Sequence, residues 1–173
     1  MKAAVFHAPH QPLTIETVEI EKPKRREVLL RTAYAGLCHS DLHFMEGLYP
    51  YPVPAVLGHE GAAVVEAVGE DVTYVKPGDH VITCLSVFCG ECAQCVTGHT
   101  NLCENTEVKL MPGAARRMKW KGQVLHQAFN LSVFAENMLV HEHAIVKIDK
   151  AFPLDRAALV GCGVMTGVGA VFN

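Results

Sequence analysis

Four cysteines, Cys89, Cys92, Cys95 and Cys103, stand at the spacing Cys-x2-Cys-x2-Cys-x7-Cys, and nothing else in the chain limits its fold so tightly. So short a loop brings four soft ligands together without a long chain closure, which is the pattern of a tetrahedral zinc site. Four thiolates leave Zn2+ no open position for chemistry, so the spacing predicts a structural zinc lobe over about residues 85–108. A disulfide framework is the competing reading of seven cysteines, but the count is odd and the chain is 50% hydrophobic, unlike small disulfide-dense domains short of core. The opening Met1-Lys2-Ala3-Ala4-Val5-Phe6-His7 has no signal-peptide hydrophobic stretch, so a reducing, cytoplasmic setting is expected. Cys84 falls outside the spacing and is expected as a buried thiol.

The 173 residues suit one domain spanning 1–173, since domains commonly run to about 100–200 residues. The longest apolar run, Leu159 to Phe172, is interrupted by Gly161, Gly163, Gly167 and Gly169 and falls short of the roughly 20 residues that cross a bilayer. No membrane association is expected. The formal charge is -3, and two zinc ions on six thiolates would make it more negative still, which argues against a nucleic-acid partner. The basic cluster Lys22, Lys24, Arg25 and Arg26 is read as a solvated loop.

Most of the first half reads as strand. Residues 2–7, 13–20, 28–34 and 62–68 alternate or are β-rich, and Lys76-Pro77-Gly78-Asp79 supplies a turn before Val81-Ile82-Thr83. The expected fold class is mainly β, a small antiparallel barrel or sandwich. Tyr49-Pro50-Tyr51-Pro52-Val53-Pro54 is a rigid extended loop, because each proline lacks a donor and restricts its predecessor. A short helix is expected over residues 41–46 with Ser40 as its cap. Residues 104–123 read as a polar, basic segment, followed by strands at 134–140 and 144–148 and a helix opening at Pro153.

Cys38, His59 and Cys162 lie outside the lobe, too scattered for a local knuckle but of the types a catalytic zinc uses. Around them stand Gly36-Leu37-Cys38-His39-Ser40-Asp41-Leu42-His43, Gly58-His59-Glu60, Lys76-Pro77-Gly78-Asp79 and Gly161-Cys162-Gly163-Val164-Met165-Thr166-Gly167. In this order, with the four-cysteine lobe, these motifs resemble the N-terminal catalytic, GroES-like domain of the zinc-dependent alcohol dehydrogenases of the medium-chain dehydrogenase/reductase superfamily. The resemblance covers essentially the whole chain, and it implies a GroES-like barrel with short helices and a structural-zinc lobe. Between Cys103 and Phe134 it leans toward the classical alcohol and glutathione-dependent formaldehyde branches.

The resemblance further implies that Cys38, His59 and Cys162 hold a catalytic zinc, two cysteines and a histidine being the ligand set known for alcohol dehydrogenase. Two thiolates and a neutral imidazole leave the ion near zero net charge and electrophilic, whereas the four-cysteine site is held at a net negative charge. Ser40 and His43 would carry the alcohol proton to solvent, in the family by way of the nicotinamide ribose. Asp41 would orient the His59 ring, Glu60 would sit beside the metal, His39 would meet the cofactor pyrophosphate and Thr166 the nicotinamide. The implied cofactors are two zinc ions and NAD or NADP, the implied partner a small-molecule alcohol or aldehyde, and the implied assembly a homo-oligomer.

Two residues depart from the family pattern. Ala63 replaces a glycine, where its methyl is expected to crowd a close backbone approach, and His80 replaces a common arginine as a surface variation. Larger is the lack of a Gly-x-Gly-x-x-Gly turn with a following acidic residue. Residues 154–173 therefore read as the start of a connection to a cofactor domain, and the chain as a catalytic domain reaching only to that junction. Two other readings stay open, a non-catalytic zinc-binding module and a related medium-chain reductase.

Overall fold

The computed structural model describes residues 1–109 and 116–172. Eleven strands form in the described residues: β1 (Lys2–Phe6), β2 (Thr14–Thr17), β3 (Glu19–Ile20), β4 (Glu27–Ala35), β5 (Ala55–Val56), β6 (Gly61–Val68), β7 (His80–Thr83), β8 (Met118–Trp120), β9 (Gln123–Gln127), β10 (Asn137–His141) and β11 (Ile145–Ile148). One sheet runs β2-β1-β5-β9-β8-β3 and the other β10-β4-β6-β7-β11. Their strands are antiparallel except for the β5–β9 pair, and a bridge between Ala3 and Ala135 joins β1 to the approach to β10. The result is the mainly β, nearly closed barrel expected.

β4 is central, with β10 on one side and β6 on the other. Its inward residues Val28 and Leu30 meet Val65, Val81, Met138 and Val140 in one core cluster, while Val5, Val56, Met118 and Leu125 build a second under the other sheet. The turn at Lys76–Asp79 forms as the composition requires: Gly78 has φ +85 and the Asp79 carboxylate accepts the Lys76 N–H at 3.1 Å.

Several expectations change. The polar 104–123 segment, of which 110–115 lie outside the described residues, carries a hairpin of β8 and β9, turned by Lys121 and Gly122 at φ 49 and 76. The charged flank concealed it, because Arg117 is buried and spends its guanidinium on Glu21 at 2.7 Å and Glu27 at 2.6 Å. The basic loop is not simply solvated either: Arg25 pairs with Asp71 and Arg26 with Glu142, each at 2.7 Å. Ala63 is fully buried in the core, opposite Thr32 and Val81. His80 is half-buried in β7 instead of on the surface, and Cys84 is half-buried instead of fully enclosed.

His141, at the end of β10, accepts the His143 N–H on its Nδ1 at 3.1 Å, which only a neutral ring can do. Burial, with His143 and Arg26 adding to it, holds its pKa down to about 4. A folded pKa below the unfolded value of about 6.5 means that its contribution is present above that value and lost as pH falls toward 4. Denaturant titrations at pH 7, 6, 5 and 4.5 should show a falling midpoint for the parent chain and a shallower fall for His141→Gln, whose amide oxygen still accepts.

Candidate metal centre

The loop after β7 and the helix α2 (Ala93–Val96) are too short to bury a core of their own, and what they gather instead is sulfur. Cys89, Cys92, Cys95 and Cys103 converge with their ligand atoms within 4.8 Å of one another. The Sγ separations are 3.9 Å for Cys89–Cys95, 3.5 Å for Cys92–Cys95 and 4.0 Å for Cys92–Cys103. A tetrahedron with Zn–S bonds of about 2.3 Å has edges of about 3.8 Å, so this set fits Zn2+ and is far too open for disulfides. Backbone N–H groups already point at the sulfurs, Cys89 N at Cys103 and Cys92 N at Cys89, both at 3.3 Å. Such bonds from Glu104 and Cys95 bring the Cys92 thiol down to about 6, whereas burial pushes Cys95 up to about 11.

The lobe is latched to the barrel by residues the sequence reading did not single out. His143 Nδ1 meets the Phe88 carbonyl at 2.9 Å, and the two rings stack at 4.5 Å. Its Nε2 faces Arg26 at 3.0 Å, so the ring donates from Nδ1 to the carbonyl and accepts from the guanidinium.

A second cluster assembles from three distant segments. β4 ends at Ala35, and the chain passes through Gly36 to α1 (His39–Met45). The Cys38 sulfur then lies 3.9 Å from that of Cys162, which sits on a π-helical turn (Val160–Val164) between α3 (Leu154–Ala157) and α4 (Met165–Phe172). His59 and Glu60 complete the group, all four ligand atoms within 4.8 Å of one another. His59 Nδ1 faces Asp41 Oδ2 at 3.5 Å, a long electrostatic contact, while Asp41 Oδ1 accepts the Gly58 N–H at 2.9 Å. With Nδ1 turned to Asp41, Nε2 is the nitrogen left for a metal. Two sulfurs at tetrahedral spacing, an oriented imidazole and a carboxylate are a donor set that suits Zn2+.

Burial lowers the proton affinity of His59, but the Asp41 carboxylate and the Cys38 sulfur outweigh it and raise its pKa. Burial raises Cys38, and the Ser40 N–H and hydroxyl overcome it and bring the thiol below its ordinary range. Cys162 goes the other way, pushed up to about 11 by burial and by Cys38.

Ser40 differs from its expected place. The helix begins two residues earlier than expected, with Cys38 at its cap and no side-chain cap bond, and Ser40 is one of the groups that lower the pKa of the Cys38 thiol. The His43 ring stands edge-on between His39 at 4.8 Å and Tyr49 at 5.1 Å. His39 is exposed at the start of α1, and Thr166 is exposed in the first turn of α4. Phe129, which no motif signalled, packs on His59 at 4.5 Å from a left-handed backbone at φ 54.

A barrel of this topology with two cysteine-rich clusters defines a zinc dehydrogenase domain, and residues 24–150 match the alcohol dehydrogenase GroES-like domain. The chain belongs to that family, the N-terminal domain of the zinc-dependent medium-chain dehydrogenases. It is 46% identical to an S-(hydroxymethyl)glutathione dehydrogenase of Haemophilus influenzae over 99% of its own length and 47% of that protein's. Among solved structures it superposes on an alcohol dehydrogenase zinc-binding domain protein from Burkholderia ambifaria with a TM-score of 0.90 at 41% identity, covering 99% of this chain and 48% of that one. For benzyl alcohol dehydrogenase from Acinetobacter calcoaceticus the TM-score is 0.86 at 34% identity, covering 99% and 47%. The chain spans about half the length of the curated relatives it matches.

The four-cysteine lobe buries little besides its own sulfurs, Phe88 and Val108, so a zinc ion bound there would couple binding to folding. Cys103→Ser should remove metal from the lobe and lower the melting temperature, by about 4–8 °C if about 2 kcal/mol is lost. Scanning calorimetry of zinc-loaded protein measures it.

Proposed function

We propose that residues 1–173 form the catalytic half of a zinc-dependent dehydrogenase that oxidises a primary alcohol to an aldehyde, or the reverse, with NAD or NADP. The convergence of Cys38, His59, Glu60 and Cys162 within 4.8 Å carries this reading. Hydroxymethyl and benzyl alcohol, named in two relatives, both present a primary CH2OH. The relatives are about twice as long, so the dinucleotide would be held largely by a further domain. Support for its docking here comes from α4, where Met165, Val171 and Phe172 are 64%, 79% and 83% exposed, more apolar surface than a short helix ordinarily leaves to water. In this reading residues 154–173 lead into that domain, and His39 and Thr166 face its cofactor. Among the described residues no helix is long and apolar enough to cross a membrane.

Cys38, His59 and Cys162 would hold the catalytic zinc, and the four-cysteine lobe the structural one. A zinc ion bound there supplies Lewis acidity, the effect that brings the pKa of a ligated water from 15.7 to about 7. Asp41 keeps the His59 ring turned with Nε2 inward. Ser40, beside Cys38, takes the hydroxyl proton on its Oγ, and the half-exposed His43 hands it to solvent. Phe129 over His59 keeps water from that wall.

Elemental analysis of metal-replete protein should give close to two zinc ions per chain, Cys162→Ser keeping one; a parent value of one or less overturns the two-site reading. For residues 1–173 alone we expect no saturable NADH or NADPH formation from benzyl alcohol, because most dinucleotide binding energy comes from a phosphate-binding helix N-terminus that these residues do not supply.

The relay is tested at single turnover in the protein joined to its cofactor domain. Ser40→Ala should slow hydride transfer by about 10²- to 10⁴-fold and Ser40→Thr far less, the range of a positioned acid-base group. His43→Gln should cost less, most at low pH, and imidazole buffers should restore part of it. Parental hydride transfer in Ser40→Ala with metal intact removes the first step.

A further inference from the structure

Thr83 closes β7, and none of the motifs includes its side chain. The β6–β7 ladder pairs Ala62 with Ile82, so the next rung would set Gly61 against Thr83 through the main chain. Here the Thr83 side chain takes over that rung. Its Oγ1 accepts the Gly61 N–H at 2.9 Å and donates to the His59 carbonyl at 2.8 Å. One hydroxyl, fully buried, thus holds the residues on both sides of Glu60 and uses its donor and an acceptor lone pair to do so.

The same residue meets the opposite side of the cluster with its main chain. A Cβ on Gly161 would collide with the Thr83 carbonyl oxygen, so the π-helical turn carrying Cys162 lies directly on the end of β7 and needs glycine there. The remaining arm is tied by Gly36, whose N–H donates to the Glu60 carbonyl at 2.8 Å. Thr83 is therefore the residue against which the His59 segment, by hydrogen bond, and the Cys162 segment, by contact, are both set.

We propose that Thr83 is a positioning residue of the Cys38–His59–Cys162 zinc site, its hydroxyl fixing the height of His59 above β7 and so the spacing of the imidazole from the two sulfurs. This rests on the assignment of that zinc under the proposed function. Valine has the same shape without the hydrogen bonds and leaves a buried N–H and a buried carbonyl unpaired. Serine keeps both bonds.

The test follows zinc release from the loaded 173-residue chain into a chromophoric chelator. The parent should release in two phases, assigned by Cys162→Ser and Cys103→Ser, each of which lacks one. Thr83→Val should speed the Cys162-dependent phase by about 10- to 100-fold, the effect usual for groups that orient metal ligands, and leave the four-cysteine phase unchanged. Thr83→Ser should release like the parent. Should Thr83→Val fail to fold, Thr83→Ala is read in the same way. Leu125→Ala, in the other sheet's core, lowers overall stability by cavity formation and should alter neither phase selectively. The proposal is overturned by unchanged release in Thr83→Val or Thr83→Ala, by equal acceleration of both phases, by a serine variant as fast as valine, or by the same selective change in Leu125→Ala. A parent chain with no Cys162-dependent phase overturns the zinc assignment and this proposal together.

Discussion

The β4–β6 ladder decides where everything else in the second cluster stands. It pairs Val28 with Val68 at one end and Ala35 with Gly61 at the other, with irregularities at Leu29/Leu30 and Thr32/Tyr34. Because side chains alternate, a slip of one residue would turn Val28 and Leu30 out of the core, so burial of those residues locks the register. The locked register then sets Gly36 beside Glu60, with Cys38 just beyond one strand and His59 just before the other. Gly36 is required there, since a Cβ would run into the Glu60 side chain. Packing on one side of the barrel is thus converted into a fixed distance between two ligands on its rim.

The two sulfur clusters use this frame differently. The four-cysteine lobe is local, and its N–H···S bonds come from its own loop. It meets the barrel at the Phe88–His143 stack, at the Arg26 contact and through Val108. The other cluster has almost nothing local about it, for Cys38 and Cys162 are 124 residues apart. Two of the three segments are set by another element, Asp41 of α1 for His59 and the end of β7 for the segment bearing Cys162. Only Cys38 has its neighbour, Ser40, close in sequence. A cluster of closely spaced cysteines can be a loop property, whereas one drawn from three distant segments has to be imposed by the fold.

That difference explains what was legible in the chain. The lobe could be read from spacing alone, because its geometry is a property of consecutive residues. The strands could be read where buried and more open residues alternate, as in β1 and the first half of β4. The β8–β9 hairpin could not, since charged residues flank it and Arg117 is buried only by virtue of Glu21 and Glu27, some 90 positions away. Cys38, His59 and Cys162 emerged through family resemblance, as no periodicity links them. Ser before an apolar turn is the usual capping signal, yet the helix starts at His39 and has no side-chain cap bond. Thr83 and Phe129 left no trace, one being an ordinary strand residue and the other an unremarkable aromatic until the backbone turns left-handed beneath it.

The thiols of the second cluster are also electrically unequal, and the reason lies in the same frame. Ser40 donates to Cys38 and favours its thiolate. Cys162 has no such donor: it is half-buried against Cys38 and near Glu60, and both neighbours oppose its ionisation. Three ionisable side chains, Cys38, Glu60 and Cys162, with ligand atoms within 4.8 Å of one another are a poor arrangement for a hydrophobic core and a costly one for a polar network lacking a cation. A dication bound there would offset this cost with Cys38 and Cys162 as its thiolates, and because those thiols must be deprotonated its affinity would rise with pH. The conflict among these side chains lies at the rim of the barrel, the kind of departure from the folding rules that functional sites show.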